Sequence, residues 1–110
     1  MIRTDWFERW ALYAPEKVAL TDEASGRSFS YAECDRIISR LARVLLEEYG
    51  LRKGDRVVVL SANSVEYVFL FFALQKNGAI MVPVNYRLTA REVLHIVTDC
   101  DPALFLWQRQ

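Results

Sequence analysis

The chain has 110 residues, 53% of them apolar and 13% aromatic, enough for one packed core and too apolar for disorder. Fourteen basic and fourteen acidic side chains cancel, so no net field draws the protein onto phosphate backbones or anionic lipid, and nucleic acid is not an expected partner. The longest uninterrupted apolar run, Tyr67 to Leu74, is far short of the roughly 20 residues that cross a bilayer, and the opening MIRTDWFERW lacks the apolar core of a secretory signal. No membrane span and a cytoplasmic location are the expectation.

No repeat, low-complexity tract or linker interrupts the sequence. Four helix starts are marked by a capping side chain three residues before a Glu: Asp5 with Glu8, Ser30 with Glu33, Asn63 with Glu66 and Thr89 with Glu92. After the first helix, Lys17 to Thr21 and Arg27 to Ser30 flank a polar Asp-Glu-Ala-Ser-Gly segment, the pattern of a β-hairpin. The second helix carries Cys34, Ile38, Leu41 and Leu45 as one apolar stripe and meets a left-handed stop at Gly50. Arg56 to Leu60 reads as a strand. The third helix, from about Ser64 to Lys76, is apolar nearly all round and ends at Asn77-Gly78. Phe69, Phe71 and Phe72 cannot all face one side of it, so exposed apolar surface and self-association are expected.

Ala79 to Val84 and Ala103 to Trp107 complete a set of three continuously apolar runs. Such runs suggest strands covered on both faces, and the intervening helices suggest parallel pairing through right-handed crossovers. The expected architecture is α/β: a short β-hairpin followed by a βαβαβ parallel unit with flanking helices.

A search for catalytic constellations returns little. Gly26, Gly50, Gly54 and Gly78 are scattered, so neither a dinucleotide fingerprint nor a P-loop can be drawn, which weighs against a small Rossmann-like nucleotide binder. His95 has no Cys or second His at ligand spacing, and a packing or surface role is expected instead of a metal site. Ser61 and Ser64 flank Asn63 without the glycines of a nucleophile elbow. In Lys53-Gly54-Asp55-Arg56, Gly54 is expected to supply a positive φ to a tight turn rather than to cradle phosphate. Cys34 and Cys100 have no CxxC spacing and are expected to be reduced core thiols.

The order of several of these features resembles the N-terminal region of the adenylate-forming superfamily, which includes acyl-CoA synthetases, luciferases and peptide-synthetase adenylation domains. The features are Lys53-Gly54-Asp55-Arg56-Val57 before a strand, Asn63 and Glu66 opening a helix, and Gly78-Ala79 closing it. Val82-Pro83-Val84-Asn85, then Arg87-Leu88-Thr89 and Glu92, follow. Upstream, Pro15 to Leu20, Phe29-Ser30-Tyr31 and Glu33 are similar to the family's opening hairpin and first long helix.

The resemblance, from about Trp6 to Leu106, implies the N-terminal part of the ligase large domain across residues 1–110. It implies a parent that joins a carboxylic acid to ATP with magnesium assistance and passes the acyl group to coenzyme A, the acid being a fatty or aromatic one. No cofactor is expected of this chain alone. The family's Ser/Thr/Gly-rich loop ending in Pro-Lys-Gly, its Tyr-Gly-x-Thr-Glu segment, its ribose-binding Asp and its catalytic Lys all lie further along, so a truncated, inactive piece is expected. A non-catalytic remnant serving as a binding or interaction module is the alternative. By resemblance Arg87, in an Asn-x-Arg-Leu stretch, is placed beside the coenzyme A phosphates, where its rigid fork of donors would suit phosphate. The competing role is a solvated loop charge ahead of the Thr89 cap.

Overall fold

The computed structural model describes residues 6–60, 64–84 and 87–107. Helix α1 (Trp6–Tyr13) leads into a hairpin of β1 (Val18–Thr21) and β2 (Ser28–Ser30), then α2 (Tyr31–Glu47). The remainder alternates as β3 (Arg56–Leu60), α3 (Val65–Lys76), β4 (Ile80–Val84), α4 (Ala90–Cys100) and β5 (Leu104–Trp107).

The expected hairpin forms, with β1 and β2 antiparallel. Its turn is fixed by Asp22, whose carboxylate accepts from the Ser25 hydroxyl at 2.8 Å and from the Ala24 N–H at 3.2 Å. The Ser25 bond in particular holds the Asp22 carboxyl below its ordinary value.

Ser30 ends β2 and caps α2. Its hydroxyl accepts the Glu33 N–H at 3.2 Å while the Glu33 carboxylate accepts the Ser30 N–H at 3.1 Å, so both orphan donors are satisfied reciprocally. Thr89 and Glu92 repeat the arrangement at α4. At α3 the expectation is corrected: the cap is Ser64, whose hydroxyl accepts the Tyr67 N–H at 3.2 Å. Asn63, like Asp5, lies outside the described residues. Asn and Ser cap about equally well, so two adjacent candidates could be separated only by the path of the chain.

Helix α2 buries Cys34, Ile38, Ala42 and Leu45. Ala42 takes the place expected of Leu41, which is half-buried. The Asn77 side chain donates to the Ala42 carbonyl at 2.9 Å and ties the end of α3 to this stripe. Phe7, buried on α1, meets Phe72 edge-on at 4.7 Å and lies 6.1 Å from the Tyr31 ring, joining the first helix to α3 and α2.

The three remaining strands form one parallel sheet in the order β4-β3-β5. Val58 pairs with Val82 on one side and Phe105 on the other. Only the central strand fits the expectation of cover on both faces: Val57, Val58 and Val59 are all buried, each burial contributing about 1.5–3 kcal/mol. For β4 and β5 that expectation is corrected, since Ile80 is 48% and Trp107 67% exposed. Edge strands have one neighbour, and their ends are shielded less.

Side chains alternate across a strand. Val57, Val59, Met81, Leu104 and Leu106 belong to the core shared with α2 and α3. Val58, Val82, Val84, Phe105 and Trp107 consequently point to the opposite face. The connection from β3 through α3 moves outward to β4, whereas the connection through α4 returns across β3 to β5. Right-handed crossovers running in opposite directions place their helices on opposite faces.

Candidate functional site

Because those two connections leave for opposite faces, they diverge at the carboxyl ends of β3 and β4. In open parallel sheets ligands bind outside the carboxyl ends of the strands, and here the ends of β3 and β4 pair through Leu60 and Val84. Ser64 and the first N–H groups of α3 border one side, and Arg87, Thr89 and the start of α4 border the other. Arg87 thus lies at the carboxyl-end rim of the sheet, two residues before the α4 cap and exposed to solvent. Asn85, like Ser61, lies outside the described residues.

The other residues singled out from the sequence sit elsewhere. The Lys53–Arg56 turn lies at the amino ends of the strands, away from Arg87. Its bonds are structural: the Gly54 N–H donates to the Gly78 carbonyl at 2.8 Å, the Ile80 N–H to the Asp55 carbonyl at 2.7 Å, and the Arg52 N–H to the Asp55 carboxylate at 2.8 Å. Gly54 has φ +87°, as the turn demands. Ser64 is engaged as a cap, and His95 is exposed on α4. Among the described residues no three His, Cys, Asp or Glu side chains come together to hold a metal ion.

Both cysteines are free thiols. Cys34 is fully buried in the core, and that burial, with the charge of Glu33 beside it, pushes its thiol up to about 11. It is no nucleophile at neutral pH. Cys100 is only half-buried, so the expectation of two core thiols holds for Cys34 and is corrected for Cys100, which ends the α4 helix over the less covered face.

An open groove of about 530 Å³ runs between α2 and α3, floored by Ile37, Leu41, Val44 and Phe69 and edged by Arg36 and Arg40. Sequence reasoning missed it, having placed Leu41 in the buried stripe of α2. It pairs an apolar floor with charges of both signs, including Glu33, whose carboxyl is held below its ordinary value chiefly by the Ser30 N–H. The groove can pack against apolar groups.

The fold and the order of its motifs define an α/β unit of the adenylate-forming type. The profile of the AMP-binding enzyme family matches residues 7–110, and the chain belongs to that family. It is 35% identical over 111 aligned positions to the crotonobetaine/carnitine–CoA ligase of Salmonella paratyphi A, covering 99% of this chain and 21% of the relative. Among solved structures, a fatty acyl CoA synthetase of Mycobacterium tuberculosis superimposes with a TM-score of 0.86 at 35% identity, covering 92% of this chain and 20% of that one. The N-terminal subdomain of Klebsiella oxytoca NpsA, in complex with 3-hydroxybenzoyl-AMSN, gives a TM-score of 0.83 at 30% identity, covering 94% of this chain and 26% of that one. The chain thus spans about a fifth of the full-length relatives it matches.

Proposed function

We propose that these residues form the N-terminal portion of an ATP-dependent acid–CoA ligase for a fatty or aromatic carboxylic acid, upstream of the segments that carry adenylation. The observation that carries this is the backbone likeness, at a TM-score of 0.86, to a fatty acyl CoA synthetase; a CoA ligase relative and an aromatic-ligand neighbour support it. In this reading the chain contributes scaffold and the carboxyl-end rim of its parallel sheet. Adenylation needs cationic and backbone donors around a triphosphate whose leaving pyrophosphate gathers charge. All four glycines sit at positive φ in turns, none at a strand-to-helix entrance where phosphate could be cradled.

The 110 residues alone are therefore expected to form no acyl-adenylate. ATP–pyrophosphate exchange with purified chain, magnesium and a panel of fatty and aromatic acids checks this, with acid-dependent exchange above a heat-killed blank as the contrary result. Arg87 is proposed to contact a coenzyme A phosphate, supported by its exposed place at the carboxyl-end rim of the sheet. In the M. tuberculosis enzyme carrying this chain in place of its own matching segment, Arg87→Ala should raise the coenzyme A requirement and spare adenylation. Equal loss in both half-reactions would assign Arg87 a structural role. Exposed Phe71 and Leu94 support self-association of the isolated chain, to be read from sizing and hydrophobic-dye binding.

A further inference from the structure

Beside the stripe that α2 seals in the core runs a second apolar stripe, Ile37, Leu41 and Val44, which floors the open groove of about 530 Å³ against Phe69 of α3. Its members follow at spacings of four and three residues over about 10 Å of helix axis, and all three stay half-buried. The charge at the rim is uneven. Both carboxylates that line the groove are engaged, Glu33 by the Ser30 N–H at 3.1 Å and Glu66 by Arg27 at 3.6 Å. Arg36 and Arg40, one helical turn apart on the α2 side, are exposed, and among the described residues no hydrogen bond or ion pair holds either guanidinium. The charges left to meet a partner are therefore positive.

We infer that this groove is a docking surface for an amphipathic helix of another protein, one whose apolar stripe is flanked by Asp or Glu. The stripe on α2 has the i, i+4, i+7 spacing that helix-in-groove recognition uses. Acidic residues four apart on the incoming helix would match the pitch of Arg36 and Arg40 and accept charge-assisted hydrogen bonds from them. A small ligand fits less well, because such ligands bury about 70–90% of their surface and an open groove leaves one side bare, whereas a helix brings its own solvated face. A second copy fits less well too. An isologous contact sets a patch against itself, which would bring the unpaired guanidiniums of both copies together. The inference rests on the geometry and charge of the groove and is independent of the proposed reaction.

The test titrates the purified chain with two synthetic helices of about 18 residues, alike in a Leu stripe and flanked in one by Glu and in the other by Lys. Binding is read by fluorescence anisotropy and by the methyl shifts of Ile37, Leu41 and Val44. The Glu-flanked helix should bind at least about tenfold more tightly, and added salt should narrow the gap. Arg36→Glu combined with Arg40→Glu should reverse the preference, while Arg91→Glu, at an exposed position on α4, should leave it unchanged. Equal affinity for the two helices, or a preference that survives the double reversal, would overturn the inference. Groove methyl shifts with decanoate and none with either helix would overturn it by assigning the groove to an aliphatic carboxylate, and groove shifts that vanish on dilution of the chain alone would do so by assigning it to a second copy. The same titration of the M. tuberculosis fatty acyl CoA synthetase carrying this chain in place of its matching segment should keep the preference. Its loss there would give the groove to the enzyme's own polypeptide and overturn the inference as well.

Discussion

On one face of the sheet, Val57 and Val59 are sealed beneath α2 and α3, which bury eight of their own residues between them. On the other face α4 buries none of its 11 residues, although Val93, Ile96, Val97 and Cys100 lie half-covered at helical spacing and Leu94 is 64% exposed. The α4 side is held by its capping box and by its C-terminal end, where the Arg56 guanidinium donates to the Cys100 carbonyl at 3.1 Å and Asp101 takes a left-handed conformation. Two helices with comparable amphipathic sequences, α2 and α4, thus meet different fates. Amphipathicity says that a helix has an apolar face, and the partners available decide how much of it is buried.

That contrast is sharpest in the cores. Ile38→Ala should lower stability by about 3 kcal/mol, since it opens a cavity in a fully packed site, whereas Leu94→Ala should stay within about 0.5 kcal/mol. Urea unfolding of both variants measures the difference, and equal losses would break the comparison.

A smaller effect tests the turn that joins α3 to β4. Gly78 has φ +70°, and an added Cβ would stand 3.0 Å from Lys53 Cγ. Gly78→Ala should cost about 1–2 kcal/mol. Gly26→Ala, at φ +75° with open space around it, should cost only the backbone penalty of about 1 kcal/mol. Equal midpoint shifts would mean that the Lys53 side chain moves aside freely.

The two capping boxes separate the faces again. Loss of either cap should weaken its helix by about 1 kcal/mol. Ser30→Ala should lower the global unfolding midpoint because α2 belongs to the core. Thr89→Ala should instead speed amide exchange within α4 and leave the midpoint nearly in place, as local opening does. A global shift of the same size for Thr89→Ala would show that α4 unfolds only with the rest.

The smallest effect is acid-dependent. Glu33 has its carboxyl held below its ordinary 4.5 by the Ser30 N–H. Its contribution is therefore present above pH 4.5 and fades as pH falls through the lower folded-state value. Glu33→Gln should flatten that part of the stability profile, which thermal melts between pH 3 and 6 measure. An unaltered acid slope would remove Glu33 from the account.

Much of the fold is set by short-range chemistry and was legible as such. The Ser30 and Thr89 boxes, the Gly50 and Gly78 stops, the hairpin around Asp22, and the three apolar strands within a residue of their observed starts are decided by side chains and backbone donors a few positions apart. The candidate site was legible only in outline. Arg87 stood out through resemblance, and nothing local in its surroundings places it at the carboxyl-end rim of a parallel sheet, because that requires knowing that β4 pairs parallel to β3. Strand order, the burial of Ala42 in place of Leu41, the choice of Ser64 over Asn63 and the uneven cover of the two sheet faces all depend on partners distant in sequence. Pro83 shows the division most plainly. The sequence alone puts a proline in a strand, and so argues for an edge, but which way its missing N–H would point is decided by the register of β4 against β3, which pairs Pro83 with Val59, 24 positions earlier in the chain.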